Sequence, residues 1–156
     1  DKDAIYSAVK NFVQDYNSAL QASGVVSGVS TDRTVSGIAS GMVRNTSYMT
    51  KSLGKLGITA ASDGKLSVDE EAFKKADMGI AKSLFEGSYS FAGRTAYNAE
   101  RMQNAADNSI ASLTNSLYGR NGGYGGYSGF GAYSGYGNYG SYGGYNSLGN
   151  FFNGYF

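Results

Sequence analysis

Residues 90–120 read SFAGRTAYNAERMQNAADNSIASLTNSLYGR, and their spacing decides the fold. Phe91, Thr95, Ala99, Met102, Ala106, Ile110, Leu113 and Leu117 recur at steps of four or three residues. That spacing predicts one long helix with a narrow apolar stripe, close to a coiled-coil seam. Small residues, Thr95, Ala99 and Ala106, are interspersed with larger ones along the stripe. Such a face packs closely but buries little area per turn, so it needs a long partner helix. The packing seam is assigned to Ala99, Met102, Ala106, Ile110, Leu113 and Leu117.

Working backwards from this helix, the chain supplies further helices. In residues 3–22, Ile5, Val9, Phe12, Tyr16 and Leu20 fall at helical spacing with polar residues between them. Gly24 is a natural stop, followed by a turn-rich connector. Ser30, Thr31 and Asp32 offer oxygens to cap a second helix. Val35, Ile38, Met42, Met49, Leu53 and Leu56 mark its face, with Asn45 interrupting and Gly57 ending it. Asp63-Gly64 lies between Ile58/Ala60 and Leu66/Val68, which predicts a small hairpin with a type I′ turn. Asp69 caps a short helix, EEAFKKA, and MGIAKSLFEG adds another turn or helix bearing Ile80, Leu84 and Phe85. The expected fold is mainly α: a helical hairpin or coiled-coil-like bundle with a small β-hairpin, over residues 1–118.

Composition narrows the function. The 156 residues carry 13 basic and 12 acidic side chains, which gives no electrostatic case for nucleic acid or an anionic membrane. No apolar run is long enough to span a bilayer. The chain starts at Asp1 without an initiator Met, as expected of a processed chain or a fragment. Cys and His are both absent. This removes thiolate nucleophiles, disulfides and the commonest general base and metal ligand. An enzyme is disfavoured, and no catalytic residue, metal or cofactor is expected.

Two stretches imitate chemistry. ASDGKLSVDEE resembles part of a calcium loop, but aligning Gly64 with the loop glycine puts Thr59 and Ala61 at the first and third ligand positions. Ala61 has no oxygen to offer on its side chain. A D-G hairpin followed by an Asp cap explains the same residues. Asp69, Glu70 and Glu71 cluster as carboxylates, yet acids at a helix start are favoured there by the helix dipole alone.

The run LGKLGITAASDGKLSVDEEAFKKA (53–76), followed by SLFEG (83–87), resembles the C-terminal part of flagellar hook-associated protein 2, the filament cap family. The matching residues are Leu53, Leu56, Gly57, Ile58, Asp63, Gly64, Leu66, Val68, Asp69, Leu84 and Phe85. FVQDYNSAL (12–20) resembles that family's "phe-val-x-x-tyr-asn" helix. The resemblance covers much of residues 4–118. It implies a secreted, non-enzymatic assembly protein acting at a flagellar filament tip, with flagellar components as partners.

After Arg120 the chain carries no charge, and 119–156 is read as a separate Gly/Tyr-rich tail. Tyr124, Tyr127, Phe130, Tyr133, Tyr136, Tyr139, Tyr142 and Tyr145 place an aromatic ring at every third position. Phe151, Phe152, Tyr155 and Phe156 close the chain. Period three fits neither a strand nor an α-helix; it matches a threefold extended helix of polyproline II type, with all rings on one stripe. A flexible low-complexity segment, tandem duplication of a nine-base unit and cross-β structure are the competing readings.

These twelve aromatic residues are the expected assembly interface. The expected function is a bacterial structural protein, extracellular or at the cell surface, that forms a homo-oligomer or polymer as a filament or surface layer. The alternatives are a cap-like or adhesive tip protein and a nucleic-acid or condensate-forming tail. The last is disfavoured because such tails interleave Arg and this one has none after Arg120.

Overall fold

The structure, a computed structural model, describes residues 1–28 and 32–118, with side chains described as far as Ser109. Within that range the chain is mainly α-helical, with one small antiparallel two-stranded sheet.

Helix α1 (Lys2–Ala22) begins where the Asp1 carboxylate accepts the Asp3 N–H at 3.0 Å. It buries the expected Ile5, Val9, Phe12, Tyr16 and Leu20. Ala8, Val13 and Ala19 widen the face to an ordinary globular stripe. Helix α2 (Arg33–Tyr48) is capped by Asp32, whose Oδ1 accepts the Thr34 and Val35 N–H groups at 2.8 and 3.1 Å. Its buried face is Val35, Ala39, Met42 and Thr46.

The expected second helix does not run unbroken to Leu56. It stops at Tyr48; Met49 leaves helical geometry, and α3 (Thr50–Gly54) starts anew. The cause is visible at Thr46. Its hydroxyl donates to the Met42 carbonyl at 3.0 Å, and its oxygen lies 2.8 Å from the buried Tyr16 hydroxyl. Back-bonding of this kind bends helices. The Met49 N–H then closes a tight three-residue turn onto the Thr46 carbonyl at 2.9 Å. Leu53 and Leu56 still reach the core, on a redirected axis.

Strands β1 (Ile58–Ala60) and β2 (Leu66–Val68) pair with Ile58 opposite Val68 and Ala60 opposite Leu66. The hairpin is where the sequence puts it, but its loop is not type I′. That turn needs positive φ at both central residues. Here only Gly64 has it, at +90°, and no described non-glycine residue does. Gly64 N–H bonds the Ala61 carbonyl at 3.0 Å, and Ala61 N–H bonds the Lys65 carbonyl at 2.8 Å. This is the longer three-residue loop, with glycine at its left-handed position. A Cβ on Gly64 would also come within 2.7 Å of Val43 on α2.

Helix α4 (Glu70–Lys75) is capped by Asp69, and α5 (Met78–Phe85) by Asp77. The last helix, α6 (Phe91–Tyr118), is the longest. It packs chiefly along α2, with α1 and α5 closing the bundle. The two run antiparallel: the start of α2 meets α6 through Asp32 and Ser109, while Thr46 and Phe91 both meet Tyr16. Phe12 sits at the centre, its ring edge-on to Phe85 and Phe91 at 5.4 and 5.8 Å between centroids. The hairpin and α4 also pack on α1. Lys2 donates to the Lys74 and Ala76 carbonyls at the end of α4, at 2.9 and 3.3 Å. Asp3 ion-pairs with Lys74 at 2.8 Å.

Candidate functional site

The seam of α6 is fixed at its start by a tight junction. Ser90 Oγ accepts the Gly93 N–H at 3.0 Å and donates to the Gly87 carbonyl at 2.7 Å, capping the helix. The 87–88 backbone therefore passes directly over the first turn. A Cβ at Gly93 would lie 2.4 Å from the Gly87 carbonyl oxygen and 2.6 Å from that of Ser88, so only glycine fits there.

From this start Phe91, Thr95, Ala99, Met102 and Ala106 are all buried, at the spacing the sequence predicts. Ala92 and Ala96 are buried as well, so the contact face is wider than a coiled-coil seam. The sequence reading passed over them because alanine is at home on either side of a helix. The long partner helix that this face needs is α2 of the same chain, which meets it with Val35, Ala39, Met42 and Thr46. Small residues on both sides allow close approach. Ile110, Leu113 and Leu117 fall on α6 beyond the described side chains. The tail calls, Tyr124, Tyr127, Phe130, Tyr133, Tyr136, Tyr139, Tyr142, Tyr145, Phe151, Phe152, Tyr155 and Phe156, lie outside the described residues, as does the extended threefold form expected for them.

Beyond the Lys2 and Asp3 contacts with α4, three polar contacts tie a helix to another element. Asp32 Oδ2 accepts a hydrogen bond from the Ser109 hydroxyl while Oδ1 caps α2. The Ser109 bond, then the Val35 and Thr34 N–H groups, hold the Asp32 carboxyl below its ordinary range against partial desolvation. Tyr16 and Thr46 tie α1 to α2, and burial raises the Tyr16 phenol.

The third contact is Asn17, on the edge of α1 facing the hairpin. Its Nδ2 donates to the Leu66 carbonyl at 2.8 Å, and its Oδ1 accepts the Leu66 N–H at 2.7 Å. One side-chain amide thus completes the outer edge of β2 as a neighbouring strand would. Sequence reading gave Asn17 no role beyond its place in FVQDYNSAL; no local pattern announces a contact made with residue 66.

The carboxylates singled out in the sequence have local uses. Asp63 accepts the Lys65 N–H at 3.0 Å within the hairpin loop, and Asp69 caps α4. Glu70 and Glu71 pair with Lys74 and Lys75 one turn on. The Asp3 and Glu70 carboxylates raise the Lys74 ammonium, and the Lys74 hydrogen bond lowers Asp3. Among the described residues, no three Asp or Glu side chains are grouped to hold a metal ion. No helix over the same residues is long and apolar enough to cross a membrane. No family model, curated protein or solved structure matches the chain.

Proposed function

We propose that this chain is a secreted, non-enzymatic structural subunit that joins copies of itself into an extracellular filament or surface layer. The observation that carries the reading is the charge-free sequence after Arg120, with an aromatic ring at every third position from Tyr124 to Tyr145. A row of rings set among Gly, Ser, Ala and Asn offers many small, similar contacts, and all but Phe130 carry a hydroxyl to satisfy. Repetition of one weak contact along a line suits a polymer joint. The helical body supports the reading by supplying a scaffold whose buried groups are used within the chain.

Deleting residues 121–156 tests it. Far-ultraviolet circular dichroism should retain the helical signal, while negative-stain electron microscopy should find the full chain assembled and the shortened chain dispersed. A shortened chain that assembles normally would overturn the proposal.

A second reading is a cap-like or adhesive tip protein. It is favoured by one observation: the residues that carry the filament-cap resemblance gather in the core. Phe12, Tyr16, Leu53, Leu56, Ile58, Leu66, Leu84 and Phe85 share it, and Asn17 clamps Leu66. Co-sedimentation with purified flagellar filaments separates the two, because a self-assembling subunit has no need of them.

A further inference from the structure

The outer face of α6 sorts its charges by side. Each residue advances a helix by about 100°. Tyr97, exposed at 61%, marks the outward line, opposite the buried Ala99, Met102 and Ala106. Asn104 and Asn108 lie within about 20° of that line. Glu100 and Asp107 fall roughly 60–80° to one side of it, and Arg101 and Arg94 roughly 40–60° to the other. All of these outward residues are exposed. The face therefore has an acidic edge, a ridge of one ring and two amides, and a basic edge.

The chain makes no use of these charges itself. Other helices pair theirs one turn apart: Glu70 with Lys74, Glu71 with Lys75, and Lys82 with Glu86. On α6, from Arg94 to Asp107, no acid stands three or four residues from a base, the spacings at which helix side chains meet. Among the described residues, Arg94, Glu100, Arg101 and Asp107 form no ion pair. Arg101 is nevertheless held in place. Its guanidinium lies 5.8 Å from the Tyr97 ring centroid, and its Nη1 is 3.5 Å from Asn98 Oδ1.

We infer that this face docks a second copy of the chain, α6 against α6, with the two helices parallel. The inference rests on the self-assembly reading and adds a joint in the helical body. Charge complementarity selects both occupant and orientation. A half-turn about an axis along α6 sets the basic edge of the second copy against the acidic edge of the first. An antiparallel pair would set acid on acid and base on base. In the parallel pair Glu100 and the partner's Arg101 differ in height by about 1.5 Å, and the two-fold axis makes that contact twice. Tyr97 meets the partner's Tyr97, and one heptad on Asn104 meets the partner's Asn104. Tyr97, Arg101, Asn104 and Asn108 follow the four-three-four steps of a coiled-coil seam, where a buried Asn sets register at a cost in stability. Such a contact is isologous and closes as a dimer, so it supplies a two-chain unit to the polymer.

The test uses the full chain, which has no cysteine of its own, so one introduced cysteine reports one position. Tyr97→Cys and Asn104→Cys are each oxidised under assembly conditions, with Lys10→Cys, exposed on α1, as the control. Both α6 variants should form disulfide-linked dimers and the control should not. Only parallel helices can self-link at two positions a heptad apart. Glu100→Arg and Arg101→Glu each set like charges together and should raise the threshold concentration for assembly about tenfold. The double variant E100R/R101E exchanges the edges and should restore the wild-type threshold. If wild type assembles but the α6 cysteines link no faster than the control, the pairing is wrong and the self-assembly reading stands. The same holds if only one α6 position self-links, or if the double variant fails to restore assembly. A wild-type chain that stays monomeric at every concentration overturns both.

Discussion

Helices α1 and α6 both bury a full face, yet they do so with opposite materials. Helix α1 presents Ile5, Val9, Phe12, Val13, Tyr16 and Leu20, whereas much of the α6 face is Ala92, Ala96, Ala99 and Ala106. The first holds its place by area removed from water, at about 25 cal/mol per Å². The second holds by proximity: with little side chain between them, α2 and α6 come close enough for many weak dispersion contacts. A side chain lost from α1 should therefore leave a void, and a side chain enlarged on α6 should force the helices apart.

The largest effect is expected at the centre of α1. Phe12→Ala removes a ring packed edge-on to both Phe85 and Phe91 and should cost about 3–5 kcal/mol of unfolding free energy by chemical denaturation of the full chain. A cost under about 1 kcal/mol would remove α1 as the anchor of the core. Next comes the reverse change on α6. Ala99→Leu should cost about 1–3 kcal/mol by overpacking, although it adds apolar surface. Were Ala99→Leu stabilising instead, the α2–α6 contact would be loose and the contrast with α1 would fail.

Asn17→Ala probes what joins the α1 layer to the hairpin. It leaves the Leu66 N–H and carbonyl without their partner and should cost about 1–3 kcal/mol. Hydrogen exchange at the Leu66 amide should speed up well before exchange in α6 does. Uniform acceleration throughout would show that the hairpin and bundle open as one unit.

The smallest effect concerns the Asp32 junction. The folded state holds this carboxyl below its unfolded value of about 3.9, so its contribution is present above that pH and is lost as pH falls through the folded value. Asp32→Asn keeps a capping oxygen and removes the charge. At pH 7 it should cost about 0.3–1 kcal/mol, and the difference from wild type should vanish as pH falls through the lowered folded value. A difference that persists unchanged at low pH would assign it to geometry and not to charge.

Much of the helical architecture was legible because its signals are local. Asp32 and Asp69 cap helices within three residues of themselves, and the Ile5-to-Leu20 stripe announces its own period. What escaped depends on distant partners. The break at Met49 follows from Thr46 turning toward Tyr16, thirty positions away. The hairpin loop takes its longer form with Gly64 pressed against Val43. Ala92 and Ala96 read as neutral until the fold buries them. Tyr97 falls between the stripe positions Thr95 and Ala99 and is exposed, while Phe91 on the stripe is buried, as the period requires.

The contacts of Lys2 and Asp32 carry a consequence for how the chain folds in time. Lys2 reaches Ala76 across 74 residues, and Asp32 reaches Ser109 across 77. Long-range closures of this kind are slow, because chain entropy is lost before any contact compensates. On a chain made from its N-terminus, α1 and α2 emerge with their apolar faces uncovered. Until α6 follows, Val35, Ala39 and Met42 have nothing to lie against. The body is completed by its last helix, so the tail starts to emerge only as the scaffold that presents it becomes able to close.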